Sequence, residues 1–262
     1  MSGRASAHLA MYDLPEVRGA AEALWQAIAT RLGGDVPQAL CWPADVGAAC
    51  RAPDLVLGQT CGLPLATVLD GAVALVGAFT YAGVSDAEAH YRSVLVARRP
   101  VPLAEQAGGV AAVNGWHSLS GWASFGAALH DAAPDGPAPF FADVVVTGAH
   151  VASLQALRDG RADVACIDAV TLALVRTHRP ALLAGLHEIG HGPRIPCLPL
   201  VTACRRDAAP LRAAIGSALA SPTTAAPRAS LLVERFVPVG ADAYAMARRL
   251  AATARAVLPP PA

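Results

Sequence analysis

Four side chains set the chemistry this chain can attempt: Ser118, Ser120, His150 and Asp168. The serines stand in Asn114-Gly115-Trp116-His117-Ser118-Leu119-Ser120-Gly121, between an apolar run, Gly109–Val113, and a helical pattern marked by Trp122, Phe125 and Leu129. A helix that begins there leaves its first N–H groups unpaired at the positive end of its dipole, and hydroxyls beside such an end make an anion pocket. Taken singly, each residue has a plainer reading. Ser118 and Asp168 stand where helix N-caps stand, and His150 simply opens a helix. Taken together, the hydroxyls and helix starts would hold an anion, His150 would add a hydrogen bond, and Asp168 could accept from an amine.

Two other constellations offer different chemistry. His187-Glu188-Ile189-Gly190-His191 matches the HExxH zinc pattern, which needs a helix so that both histidines lie one turn apart and the glutamate serves as base. Gly190, Gly192 and Pro193 oppose a helix here, and a strand with an exit loop describes the segment better. Cys61, at the start of a helical pattern, could be an activated thiol with His150 as its base, or a small buried residue that packs a turn. No catalytic residue, metal or cofactor is therefore assigned. An enzyme using Cys61/His150, or zinc at His187/His191, is kept as the alternative.

The elements that must position these groups alternate between strand and helix along the chain. Ala7–Met11 reads as a strand, and Asp13-Leu14-Pro15-Glu16 as a looser capping box. Val17, Ala21, Leu24, Trp25 and Ile28 then mark one helical face. Ala39–Trp42, Leu55–Leu57, Ala72–Phe79, Asp143–Thr147, Asp163–Ile167 and Leu231–Val237 read as strands, with helices at His150–Leu157, Ala169–His178, Leu211–Ala220 and Ala241–Ala256. This alternation predicts α/β architecture with mixed, mostly parallel sheets, whose ligands bind beyond strand ends. Besides the serine turn, polar strand-to-helix turns occur at Met11-Tyr12-Asp13, Gly58-Gln59-Thr60-Cys61-Gly62 and Thr147-Gly148-Ala149-His150.

Composition narrows the function classes. The 262 residues carry zero net charge, 54% are hydrophobic, and all 20 basic residues are arginine. Without a basic stripe, nucleic acid is not the expected partner, and the pairs Arg98-Arg99, Arg205-Arg206 and Arg248-Arg249 read as solvated faces. The six cysteines show no CxxC spacing, consistent with free buried thiols. The apolar stretch from Gly62 to Val84 contains Pro64 and Asp70 and is read as a helix and a strand, not a membrane span. Met1-Ser2-Gly3-Arg4 leads almost directly into the first strand, so a cytoplasmic location is expected for the chain as written, and a periplasmic one if a leader has been removed.

Three segments in order, Gly58-Gln59-Thr60-Cys61-Gly62-Leu63-Pro64-Leu65, Asn114–Gly121, and Gly148-Ala149-His150 with Gly160-Arg161-Ala162-Asp163-Val164-Ala165-Cys166-Ile167-Asp168, resemble the phosphate/phosphonate-binding components of ABC importers. That resemblance implies a two-lobe type II periplasmic-binding-protein fold with a ligand cleft between lobes joined by crossing strands. The lobes implied are 1–83 with 199–262, and 84–198, with Tyr91–Val96 and Pro196–Val201 as crossings. It places the phosphonate-holding turn on Ser118 and Ser120, the histidine on His150 and the amine-facing carboxylate on Asp168. It further implies aromatic walls at Tyr12 and Tyr81, and polar contacts at Gln59 and Thr60. The function implied is non-catalytic binding of a small phosphorus oxyanion by a monomer that serves an ABC permease. A cytoplasmic small-anion sensor is the remaining alternative. Trp116 and Leu119 depart from the family's pattern, because phosphonate binders tend to present another hydroxyl between the two serines.

Overall fold

Proline and apolar spacing define the first elements of the computed structural model, which describes residues 5–136 and 138–261. Strand β1 is short, Ser6–His8, and a single 3-10 turn, Ala10–Tyr12, follows it. Helix α1, Pro15–Leu32, buries the predicted face of Val17, Ala21, Leu24, Trp25 and Ile28. The expected Asp13 cap is not made. Pro15 holds Leu14 extended, so Leu14 is the N-cap residue, and the Asp13 carboxylate pairs with Arg18 at 2.5 and 2.7 Å. The expected strand Ala39–Trp42 is likewise absent. Pro37 and Pro43 bracket it without N–H groups to donate, and among the described residues Cys41 alone ties it to β1, its N–H and its thiol both donating to Ala7 O (2.8 and 3.3 Å).

The chain forms two compact units, Met1–His90 with Pro196–Tyr244, and Tyr91–Ile195 with Ala245–Ala262. In the first, the strands are β1, β2 (Leu55–Gln59), β3 (Val73–Tyr81), β9 (Pro199–Ala203) and β10 (Val233–Val237), in spatial order β1-β2-β9-β3-β10. Only β1 and β2 run parallel; the other pairs are antiparallel. Helices α2 (Val46–Cys50), α3 (Gly62–Ala66), α7 (Ala209–Ala220) and α8 (Ala225–Ser230) belong to this unit, and Asp45 caps α2 by accepting from Ala48 N at 2.9 Å. β3 and β10 come so close that a Cβ at Gly77 would lie 2.5 Å from the Val237 carbonyl oxygen.

The second unit has strands β4 (His90–Ala97), β5 (Val110–Val113), β6 (Asp143–Val146), β7 (Val164–Ile167) and β8 (His187–Pro196), in the order β6-β5-β7-β4-β8. β5 runs parallel to both β6 and β7, whereas β4 is antiparallel to β7. Both sheets are thus mixed. The chain enters this unit near the start of β4 and leaves it at the end of β8. Its helices are α4 (Ser124–Ala132), α5 (His150–Arg158), α6 (Ala169–His178) and the terminal α9 (Met246–Val257).

Helix α9 packs here, whereas the expected cuts at 83/84 and 198/199 grouped it with the other lobe. Small residues explain the placement. A Cβ on Gly126 of α4 would lie 2.4 Å from Ala254 of α9, so the two helices approach more closely than larger side chains allow. The Trp122 indole then donates to Leu258 O at 2.9 Å, and the Arg255 guanidinium lies 5.7 Å from the centre of the same ring. No helix among the described residues is long and apolar enough to cross a membrane.

Candidate functional site

The serine turn gets its shape from a change of helical pitch. Leu119–Ala123 forms one π-helical turn, with Ala123 N–H bonded to Ser118 O at 3.0 Å, and runs directly into α4. Single π turns of this kind recur at functional sites because they re-aim the residues at a helix end. Ser118 is the N-cap residue, and its Oγ accepts from Gly121 N at 2.9 Å. The Ser120 Oγ lies 3.0 Å from His150 Nε2. Both serines are 3% exposed. Only glycine fits at 121, because a Cβ there would stand 1.9 Å from Asn114 Oδ1 and 2.8 Å from His150 Cε1.

His150 opens α5 and turns its ring toward the end of β7. The Asp168 backbone N–H points at its Nδ1 from 3.4 Å, which favours the tautomer carrying the proton on Nε2 and donating to Ser120. Burial lowers the His150 pKa; the Asp168 charge and the Cys166 carbonyl oppose that shift only partly. At neutral pH the ring is therefore neutral. The Cys166 thiol donates to the carbonyl oxygen of Ser120 at 3.2 Å and ties the turn to β7.

Asp168 is the N-cap residue of α6: its Oδ1 accepts from Val170 N at 2.9 Å and Thr171 N at 3.0 Å. Its Oδ2 receives the Tyr91 hydroxyl from β4. The structure thus brings Ser118, Ser120, His150 and Asp168 together in one unit and adds Tyr91, which the sequence reading placed on a crossing strand with no chemical role. Asp168's partner is far away in sequence, so no local spacing announces it.

The remaining predicted residues lie in the first unit. The Gln59 amide donates to Tyr81 Oη at 3.1 Å, and the Tyr12 and Tyr81 rings meet edge to face with centroids 5.5 Å apart. Thr60 stands apart from this group. Its N–H bonds Pro199 O at 3.0 Å, and its side chain bonds the Cys50 thiol, which burial pushes up to about 11. Cys50 Sγ in turn lies 3.7 Å from His8 Nε2, and burial brings His8 down to about 4.

The HExxH motif does not assemble. His187 and His191 lie on β8, where residues four apart are separated by roughly 13 Å, too far to share one ion. Glu188 is paired with Arg176. Cys61 is the N-cap residue of α3, and both His150 ring nitrogens are already engaged within their own unit.

Residues 45–244 match the family described as ABC transporter, phosphonate, periplasmic substrate-binding protein. The chain belongs to this family, which is one of transporter substrate-binding proteins. Among solved structures it is similar to a binding protein component of an ABC phosphonate transporter from Pseudomonas aeruginosa, with TM-score 0.77, 16% identity, and 96% of this chain and 86% of that one covered. It is also similar to PhnD1 from Prochlorococcus marinus in complex with methylphosphonate (TM-score 0.72, 12% identity, 88% and 90% covered). A Xanthomonas citri protein bound to ATP aligns at TM-score 0.67 and 14% identity, covering 92% of this chain and 95% of that one. These likenesses establish the type II periplasmic-binding-protein fold. No curated protein sequence matches significantly.

Proposed function

We propose that the protein binds a small phosphate- or phosphonate-like anion without transforming it and delivers it to an ABC permease from the periplasmic side. One observation carries the reading. Ser118 Oγ accepts from Gly121 N–H, and Ser120 Oγ stands 3.0 Å from His150 Nε2; with the ring protonated on Nε2, each hydroxyl keeps its O–H to donate to a ligand. Two spare donors at the positive end of a helix suit an oxyanion and repel no part of it. Asp168 would receive any donor the ligand carries, alongside Tyr91. Tyr12, Gln59, Thr60 and Tyr81 are proposed as further ligand contacts. Methylphosphonate in the Prochlorococcus relative supports a phosphorus ligand.

Non-catalytic binding is supported by the family, one of transporter substrate-binding proteins. Burial raises the Cys50 and Cys166 pKa values, which keeps both protonated and unreactive at neutral pH. Calorimetric titration with phosphate, phosphite, methylphosphonate and 2-aminoethylphosphonate tests the proposal. Stoichiometric heat is expected with at least one of them. Absence of heat with all four, from protein shown to be folded, defeats the anion class.

A further inference from the structure

The arginine pair at 98–99, which reads from sequence as a solvated face, is joined in the folded second unit by Arg158. The three line a cavity of about 400 Å³ together with Asp163, Leu157 and Leu186. Arg98 and Arg99 follow directly on β4, and Arg158 closes α5. Their charge is poorly balanced. Arg98 pairs with Asp163 at 3.5 Å, but that carboxylate also accepts from Val110 N at 2.8 Å. Arg99 donates, among the described residues, to neutral oxygens, Glu105 O at 3.2 Å and Gln106 Oε1 at 3.4 Å, and Arg158 donates to Ala181 O. Among the described residues neither has a carboxylate partner. The cavity therefore holds three cations against one carboxylate.

Each guanidinium is nevertheless held in place. The Arg98 group lies 3.5 Å from where a Cβ of Gly160 would be, and Gly160 adopts φ +73°, so the backbone turns beneath the guanidinium without a side chain between them. Carbonyl bonds fix Arg99 and Arg158 by part of their donor set and leave other N–H groups of each fork free. Held forks with uncompensated charge are the arrangement that takes oxyanions bidentately. Leu157 and Leu186 add an apolar wall for a short organic body.

We propose that this cavity is a second anion site, separate from the serine turn, for a small compound bearing a phosphate or carboxylate dianion. The test uses the full chain with Ser118→Ala and Ser120→Ala, so that the serine turn is silenced and failure of either site is read independently. Pyrophosphate and citrate are titrated calorimetrically at low salt, and their ranking separates phosphate from carboxylate chemistry. One site per chain is expected, weakened at least tenfold by Arg158→Gln and by Arg99→Gln, with affinity falling steeply as salt rises. Both variants replace exposed side chains, and an unchanged melting temperature confirms that they remain folded. No binding of either probe, or binding that both variants leave unchanged, overturns the proposal.

Discussion

Each unit of the molecule sets a histidine into its structure, His8 fully buried and His150 half-buried, and the two are put to different use. His8, in β1, has its ring beside Gly58 and the Cys50 thiol, and its Nδ1 has no hydrogen-bond partner among the described residues. His150, in the second unit, has both ring nitrogens engaged, one of them with a serine of the proposed anion turn. Burial lowers the pKa of both, but only His150 has a nearby carboxylate, Asp168, pushing back. A buried ring without hydrogen-bond complementarity fills space; one whose tautomer is dictated from both sides can fix the direction of a neighbouring donor. By this measure the second unit carries directional polarity, and the first carries shape.

The largest effect should come from removing that directionality. Ser118→Ala with Ser120→Ala deletes two donors to a charged ligand, each contributing about 1.5–3 kcal/mol. Affinity should fall roughly a hundredfold to ten-thousandfold by calorimetry. The lost Ser118 cap should cost only about 1 kcal/mol of stability. A double variant that binds within threefold of the parent would break the contrast between the units.

How much of this was legible in the sequence depended on how local the determinant was. The apolar face of α1 and the caps at Ser118 and Asp168 follow from spacing of a few residues, and they are found where expected. So is the failure of the HExxH segment to become a helix, which glycine and proline dictate. What stayed hidden rests on contacts between distant segments. Gly126 and Ala254 carry little hydrophobic signal, yet their close approach decides where the terminal helix packs. Tyr91 meets Asp168, and Arg158 meets Arg98 and Arg99, only once the sheet is assembled. Ala39–Trp42 has the composition of a strand, but its flanking prolines withhold the donors that a ladder needs.

Acid should next separate the two histidines. His8 has a folded pKa of about 4, below its unfolded value near 6.5, so the unfolded chain takes up a proton that the folded one declines. The stability present above pH 6.5 is therefore lost as pH falls toward 4, by up to roughly 3 kcal/mol. His150 shifts in the same direction and adds to the loss. Urea unfolding at pH 7, 5.5 and 4 should show this decline, and His8→Gln should flatten it while leaving anion affinity at pH 7 unchanged. His150→Gln should do the reverse, weakening affinity with a smaller change in acid sensitivity. If His8→Gln lowers affinity as much as His150→Gln does, the assignment of shape to one unit and direction to the other is wrong.

The smallest effect is expected where the first unit is most polar. Tyr81→Phe keeps the edge-to-face contact with Tyr12 but removes the oxygen to which the Gln59 amide donates, at 3.1 Å in the parent. Gln59 is buried, so its unpaired N–H should cost about 1–3 kcal/mol of stability. Affinity should fall less than tenfold, because the ring that gives the region its shape remains. Gln59→Leu added to Tyr81→Phe removes the orphaned donor as well and should recover most of the lost stability, as expected when both partners of a buried bond become apolar. Recovery of stability with no further loss of affinity would place the Gln59–Tyr81 bond in the scaffold. A hundredfold loss of affinity in Tyr81→Phe would instead give the first unit a directional contact as strong as those of the serine turn.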